Sequence, residues 1–369
     1  MNVKFDKWGP EKIVIVNDKR IGLSGFLVID NTAAGPGKGG IRMVPDVTVE
    51  EVSKLARAMT WKNAMAGLPF GGAKAGIAAN PRVLTRDKKM KLMRAFAKAL
   101  KSLTPKEYIA GPDMNTGEAE MAVFADENGL DSCTGKPAEM GGLPHELGST
   151  GWGVYHSTIT ALKFLKMKVR GTTVAIEGFG NVGTFTAKFL SEAGAKIVAV
   201  SDSKGTIYNP RGLNVEKLIK VKKEKRTVTK YGGGKVLKTK DLFGLKVDVL
   251  IPGARPNVIN ENNYKDVKAK LIVEAANIPM PVEIEEKLWK KKITIVPDFV
   301  ANAGGVISSY VEHIHGTPEQ MFKMVEERIK ENTELVLERA KKMKISQRAA
   351  ALQIAQERVK KAMAYRAGL

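Results

Sequence analysis

Residues 171–202 are the stretch that most limits what this chain can fold into. Thr173–Ile176 is a short run of β-branched and small apolar residues and reads as a strand. Glu177-Gly178-Phe179-Gly180-Asn181-Val182-Gly183 follows, and a helical pattern then runs to about Ala193. Lys196–Val200 is a second strand, ending at Asp202. The glycines fit G-x-G-x-x-G between a strand and a helix. Gly178 permits a tight turn, Gly180 clears space for a pyrophosphate, and Gly183 lets helix and strand approach. The N–H groups of a helix opening at Asn181 and Val182 suit that anion. A purely structural glycine turn is the competing reading; the flanking strand and helix weigh against it.

Asp202 lies 24 residues after Gly178, where such domains bind ribose. Its carboxylate suits a free 2′-hydroxyl and hence NAD, while Lys204, two residues on, suits the 2′-phosphate of NADP. Both cofactors stay open, dual use included. Further strands are expected at 247–251, 270–274 and 293–296, so the class is α/β with a parallel sheet covered on both faces. The lysine-rich stretch 218–240 reads as an exposed helix end and hairpin, a solvated face.

Ahead of this region, 12–17 and 21–29 read as strands, and 31–40, rich in Gly, Ala and Pro, as a loop. Thr48 and Glu51 form a capping-box pattern for a helix reaching about Ala66, with Val52, Leu55, Ala56 and Met59 as its apolar stripe. A basic helix is expected over 86–102, then a strand at 108–112 ending at Asp113. Residues 131–151 hold five glycines and two prolines and read as a connection lining a ligand. A helix follows from about Thr150 to Leu165. Thr317-Pro318 starts another, to about Lys342, and a last one covers 346–364.

The 369 residues suffice for two domains. Cys133 is the only cysteine, so no intrachain disulfide and no metal site is expected, and a reducing cytoplasm fits. No run approaches a membrane span or signal segment. The formal charge is +21. Nucleic acid is the obvious partner for such a balance. The lysines, however, are spread among glutamates without aromatic interleaving, so a thermophile-like surface or a funnel for anionic ligands is preferred, with no nucleic acid and no membrane.

Three lysines stand apart from that surface population. Lys38 lies in Gly37-Lys38-Gly39-Gly40, Lys62 follows by 24 residues, and Lys74 by 12 more, in Gly71-Gly72-Ala73-Lys74-Ala75-Gly76. Lys62 is flanked at helical spacing by Ala58, Met59 and Met65. Lys74 reads as sitting in a glycine-rich turn without polar neighbours. Burial lowers the pKa of such an amine, and a lowered pKa suits proton exchange near neutrality. Asp113 is the natural carboxylate partner.

These lysines, their spacing and the glycine fingerprint resemble the glutamate/leucine/phenylalanine/valine dehydrogenases over nearly the whole chain, closest to the glutamate branch. The resemblance implies a Rossmann-type dinucleotide domain beside an α/β substrate and oligomerisation domain. It places residues 1–146 plus 322–369 in the latter and 147–321 in the former. It implies NAD(P)-dependent oxidative deamination of glutamate to 2-oxoglutarate and ammonia by a homo-oligomer, a hexamer by family habit. Carried over, Lys38 and Ser309 meet the distal carboxylate and Lys62 the α-carboxylate. Lys74 is the catalytic lysine, and Asp113 shuttles protons. Thr150 stands between substrate and cofactor, and Asn277 and Asn302 lie at the nicotinamide side.

There are departures. Glu146 stands where an arginine is usual, Gly111 where alanine is common, and Ala75 where glycine is common; the amino-terminal region is short. The side chain accepted therefore stays open, with a leucine- or valine-like substrate as the rival. A non-catalytic nucleotide-binding regulator is the remote alternative, disfavoured because it has no need of both Lys74 and Asp113.

Overall fold

The computed structural model describes residues 3–144 and 147–366; Glu146, the departure noted above, lies outside them. The chain groups into two units, residues 1–147 with 306–321 and 354–369, and residues 148–305 with 322–353. The expected division differs in two stretches: it put 306–321 with the nucleotide unit and 322–353 with the first. The reason is local. Glu312 pairs with Lys136 of the first unit, and Phe322 packs edge-on against Trp152 of the second.

The first unit begins with β1 (Lys12–Asp18), β2 (Leu23–Asn31), β3 (Gly37–Val44), α1 (Val49–Met65), β4 (Gly71–Ala78), α2 (Arg86–Ala99), β5 (Tyr108–Pro112) and α3 (Glu118–Asn128). Its sheet has the order β1-β2-β4-β3-β5. β3 runs parallel to both β4 and β5, while β1 and β2 form an antiparallel edge. Period-2 alternation sends Leu27, Ile29, Ile41, Met43, Ala73, Ala75 and Ile77 to one face, where they bury against Leu92, Met93 and Phe96 of α2.

The opposite face receives α1. Thr48 caps that helix, its Oγ1 accepting from Glu51 N at 3.2 Å. Its buried positions are Val49, Val52, Ala56, Thr60, Asn63, Ala64 and Met65; Leu55 and Met59 of the expected stripe are only half-buried. The stripe turns polar because Thr60 and Asn63 have partners: Thr60 Oγ1 donates to Asp30, and Asn63 Nδ2 to the Gly71 carbonyl at 2.6 Å.

The expected loop over 31–40 is also corrected, since β3 starts inside it. Its glycines serve close strand packing. A Cβ on Gly39 would lie 1.7 Å from the Ala73 carbonyl oxygen, and one on Gly40 2.8 Å from Asp113 Cβ. Lys74 likewise lies in a strand, not a turn.

The second unit holds α4 (Ser149–Phe164), β6 (Thr173–Glu177), α5 (Asn181–Glu192), β7 (Lys196–Asp202), β8 (Gly205–Tyr208), α6 (Val215–Lys225), β9 (Lys235–Leu237), β10 (Val249–Pro252), β11 (Leu271–Val273), α7 (Val282–Lys290), β12 (Thr294–Val296) and α8 (Asp298–Ala301). The sheet order is β12-β11-β10-β6-β7-β8-β9, parallel from β12 to β7 with an antiparallel β8-β9 ribbon. The remaining helices are α9 (Gly304–His313), α10 (Pro318–Met343) and α11 (Gln347–Arg366). Thr317 and Gln320 cap α10 reciprocally, through Thr317 N to Gln320 Oε1 at 2.8 Å and Gln320 N to Thr317 Oγ1 at 3.3 Å. Among the described residues, no helix is long and apolar enough to cross a membrane.

Candidate active site

In the first unit, one face of the sheet collects charge. Register pairs Lys38 with Gly72 and with Ile109, and Arg42 with Gly76. Side chains at 38 and 42 therefore share a face with that of Lys74, and Asp113 follows the end of β5 beside them. Lys74 Nζ lies 2.9 Å from Asp113 Oδ2. Arg42 Nε donates to the same oxygen at 2.9 Å, and Arg42 also pairs with Glu51 of α1. Glycines keep the face open to α1: a Cβ on Gly72 would meet Thr60 Oγ1 at 2.1 Å.

Burial sets the electrostatics. It pulls the Lys74 ammonium below the ordinary lysine range, against the opposing pull of Asp113. Burial alone would raise the Asp113 carboxyl, but Lys74 and Arg42 outweigh it and hold it below the usual range. The pair is an ammonium that gives up its proton readily beside a carboxylate that keeps its charge.

Lys38 is 3% exposed, and its ammonium donates to the Ala110 carbonyl. Burial lowers its pKa to about 7, with the Lys136 and Lys74 ammoniums adding to that and Cys133 and Glu312 opposing it. Gly111 gives it room, since a Cβ there would stand 2.8 Å from Lys38 Nζ. Glu312 is one helical turn beyond Ser309 on α9. It accepts from Gly135 N and Leu143 N and pairs with Lys136 Nζ at 2.7 Å. Ser309 is half-buried, as is Lys62 in the last turn of α1. The Cys133 thiol lies behind this wall, fully buried, donating to the Met121 carbonyl at 3.3 Å, its pKa raised by burial to about 11.

In the second unit, a cavity of about 1330 Å³ is lined by Gly178, Gly180, Asn181, Val182, Gly183 and Asp202, with Ala254 among its other walls. The three glycines have three separate reasons. Gly178 has φ +93°, in the left-handed region. A Cβ on Gly183 would meet the Gly178 carbonyl oxygen at 1.9 Å, whereas one on Gly180 meets nothing within 4 Å. That open space over the start of α5 is the cradle a pyrophosphate needs.

Asn277 and Asn302 stand outside that cavity, Asn277 in the loop after β11 and Asn302 at the C-terminal end of α8. Asn302 Nδ2 donates to Asn277 Oδ1 at 3.1 Å, while its own buried Oδ1 has no hydrogen-bond partner. An orphaned buried acceptor calls for a donor such as a carboxamide NH₂, so the residues present fit a nicotinamide dinucleotide. Thr150 lies in the first turn of α4, and a Cβ on Gly305 would come within 3.1 Å of its Oγ1.

Three further charged residues join these sites. Arg42 was signalled by its place four residues after Lys38, on the same strand face. Lys222 was read as solvated; it pairs with Asp202 at 2.7 Å. Arg348 of α11 reaches Glu274 Oε2 at 2.9 Å and Asp298 Oδ1 at 2.8 Å. Asp298 N in turn donates to Glu274 Oε2, and Ile278 N to Asp298 Oδ2. Arg348 thus ties together the two segments that carry Asn277 and Asn302. No local pattern announces it.

The profile of the Glutamate/Leucine/Phenylalanine/Valine dehydrogenase family matches residues 141–367, and that of the Glu/Leu/Phe/Val dehydrogenase dimerisation domain matches 10–129. The glutamate dehydrogenase of Aeropyrum pernix is 42% identical, the match covering 91% of this chain and 85% of that one. The NADP-specific glutamate dehydrogenase of Saccharolobus shibatae is 41% identical over 82% of this chain and 75% of its own. Among solved structures, the hetero-hexameric glutamate dehydrogenase of Thermus thermophilus superposes with a TM-score of 0.86 at 30% identity, covering 97% of this chain and 90% of that one.

Proposed function

The chain belongs to the glutamate/leucine/phenylalanine/valine dehydrogenase family, and within it we propose that it is a glutamate dehydrogenase, catalysing the reversible NAD(P)-dependent oxidative deamination of L-glutamate to 2-oxoglutarate and ammonia. The observation that carries the substrate assignment is Lys38. A buried ammonium that donates to a neutral backbone carbonyl needs a counter-charge, and a distal carboxylate supplies it.

A nicotinamide dinucleotide held by the second unit would supply the hydride acceptor; the binding, orienting and proton handling fall to the chain's side chains. Lys62 holds the α-carboxylate, and Lys38 with Ser309 the distal one. Lys74 polarises the oxygen that develops charge as water adds to the imine carbon, a preorganised electrostatic role. Asp113, kept anionic by Lys74 and Arg42, takes and returns the proton of the substrate nitrogen. Thr150, Asn277 and Asn302 orient the reacting ring. In the second unit, Gly178, Gly180 and Gly183, with the Asn181 and Val182 backbone, hold the pyrophosphate.

One observation favours a second reading. With a pKa of about 7, Lys38 is easily neutral, and a neutral amine tolerates an apolar side chain better than an ammonium does. The test is kcat/KM for glutamate, leucine, norvaline and aspartate in the wild type and in Lys38→Leu. Glutamate is expected to lead in the wild type and to lose its lead in the variant. A wild type that prefers norvaline or leucine overturns the substrate and leaves the dehydrogenase class.

The protein acts as an oligomer, and the proposed form is a homohexamer. Support comes from β1, an edge strand of the first sheet with Ile15 exposed, since an unpaired edge invites pairing with another copy. Light scattering of the purified chain is the check; a monomer at micromolar concentration overturns it.

A further inference from the structure

We propose that the cavity beside Asp202 selects a dinucleotide carrying a 2′-phosphate, NADP(H), over NAD(H), because Lys222 occupies the carboxylate that a free ribose hydroxyl would use. This rests on the dinucleotide reading of the cavity.

A carboxylate has about four lone-pair positions, and Asp202 has four donors. Oδ1 accepts from Lys204 N at 2.9 Å and Thr227 Oγ1 at 3.2 Å. Oδ2 accepts from Lys222 Nζ at 2.7 Å and Val228 N at 2.8 Å. The Asp202 side chain is only 5% exposed, while that of Lys222 is 29% exposed. At this end the cavity therefore meets more of the Lys222 ammonium than of the Asp202 carboxylate it covers.

The ammonium has capacity to spare. Besides Asp202, Lys222 Nζ reaches the Arg226 carbonyl at 3.4 Å, and an ammonium has three protons. A second cation is held close by the fold. Thr239 Oγ1 donates to the Asp202 carbonyl at 3.3 Å, and Lys240, the next residue, lines the cavity together with Ser203. Asp241 also lines it, but its Oδ2 accepts from Lys238 N at 3.1 Å. Two lysines and a serine lining the same cavity as Asp202 suit a phosphate dianion. A hydroxyl offered there finds no acceptor left on Asp202, and seating it would mean displacing a charge-assisted bond.

Purified full-length protein titrated with NADPH and with NADH, followed by nucleotide fluorescence and without substrate, reads the preference directly. NADPH is expected to bind about ten- to a hundredfold more tightly, the range of one or two charge-assisted hydrogen bonds. Its affinity should also fall more steeply with salt. Lys222→Ala should collapse the ratio, by weakening NADPH and freeing Asp202 for NADH; Lys222→Arg should keep it. Lys240→Ala, which leaves the Asp202 network intact, should weaken NADPH alone and serves as the second variant if Lys222→Ala does not fold. Equal or tighter NADH binding by the wild type, or an unchanged ratio in Lys222→Ala, overturns the proposal and leaves the dinucleotide site standing. Binding of neither nucleotide overturns both.

Discussion

Arg42 Nε stands 2.9 Å from Asp113 Oδ2, the oxygen that also receives Lys74 Nζ. A side chain on a central strand thus holds the carboxylate at the end of the neighbouring one, and two cations share a single acceptor. The arrangement fixes where Asp113 points and keeps it ionised. Arg42→Met is expected to raise the Asp113 pKa, since one of two cations is lost. The acid limb of the kcat/KM profile should move to higher pH by about one unit, the low end of what a single neighbouring charge does. Initial rates between pH 4 and 8 check this; an unmoved acid limb removes Arg42 from the site.

Lys74→Ala and Asp113→Asn are each expected to lower kcat by about 10²–10⁴-fold, the range for a positioned acid-base group. Dinucleotide affinity should be untouched, because the cavity lined by Gly178 and Gly180 belongs to the other unit. Steady-state rates paired with nucleotide titration separate the two effects. Near-normal turnover in either variant takes that residue out of the mechanism.

Gly180→Val should abolish dinucleotide binding while leaving the thermal midpoint close to that of the wild type. The two halves of this expectation have one cause: a Cβ at Gly180 meets nothing within 4 Å, so the new side chain fills only ligand space. Gly183→Val should instead fail to fold normally, since its Cβ would strike the Gly178 carbonyl. Circular dichroism and nucleotide titration of both variants provide the check. A folded Gly180→Val that binds normally misplaces the pyrophosphate.

Much of this was legible in sequence because it is local. The β6-α5-β7 unit, the Thr48 and Thr317 caps and the spacing of Lys38, Lys62 and Lys74 all lie within short windows. What escaped was set by partners far along the chain. Residues 31–40 read as a loop because glycine disfavours isolated strands, yet β3 needs glycine to sit between β4 and β5. Lys222 read as solvated because it stands among other lysines and glutamates on a helix face, while its partner Asp202 is 20 residues away. Arg348 meets acids 50 or more positions away, beyond any periodicity.

Lys38 gives the chain a pH signature. Its pKa is about 7 in the folded protein against an ordinary 10.5. Between those values the unfolded chain binds the extra proton, so this residue's contribution to stability rises with pH across that window and is least favourable below pH 7. A distal carboxylate on Lys38 restores the charged form, so binding takes up a proton above pH 7. Affinity for 2-oxoglutarate should therefore weaken as pH rises from 7, by up to about tenfold per unit. Lys38→Leu should bind weakly without that slope, and its Tm should exceed the wild-type value most clearly below pH 7. Calorimetric titration between pH 6 and 9 decides it; a slope that persists in Lys38→Leu assigns the proton elsewhere.

The burial of Cys133 makes the protein its own stopwatch. The Ala110 carbonyl that holds Lys38 also accepts from Thr134 N at 3.0 Å, so the thiol sits one residue from the strut that carries Lys38. An alkylating reagent meets a sulfhydryl that is protonated and sealed, so it is expected to react only when the packing between β5 and the segment after α3 opens. Mass spectrometry of a chain with one thiol then counts openings of one named wall, with no label to introduce and no second site to subtract. A ligand that engages Lys38 will lengthen the interval between those openings.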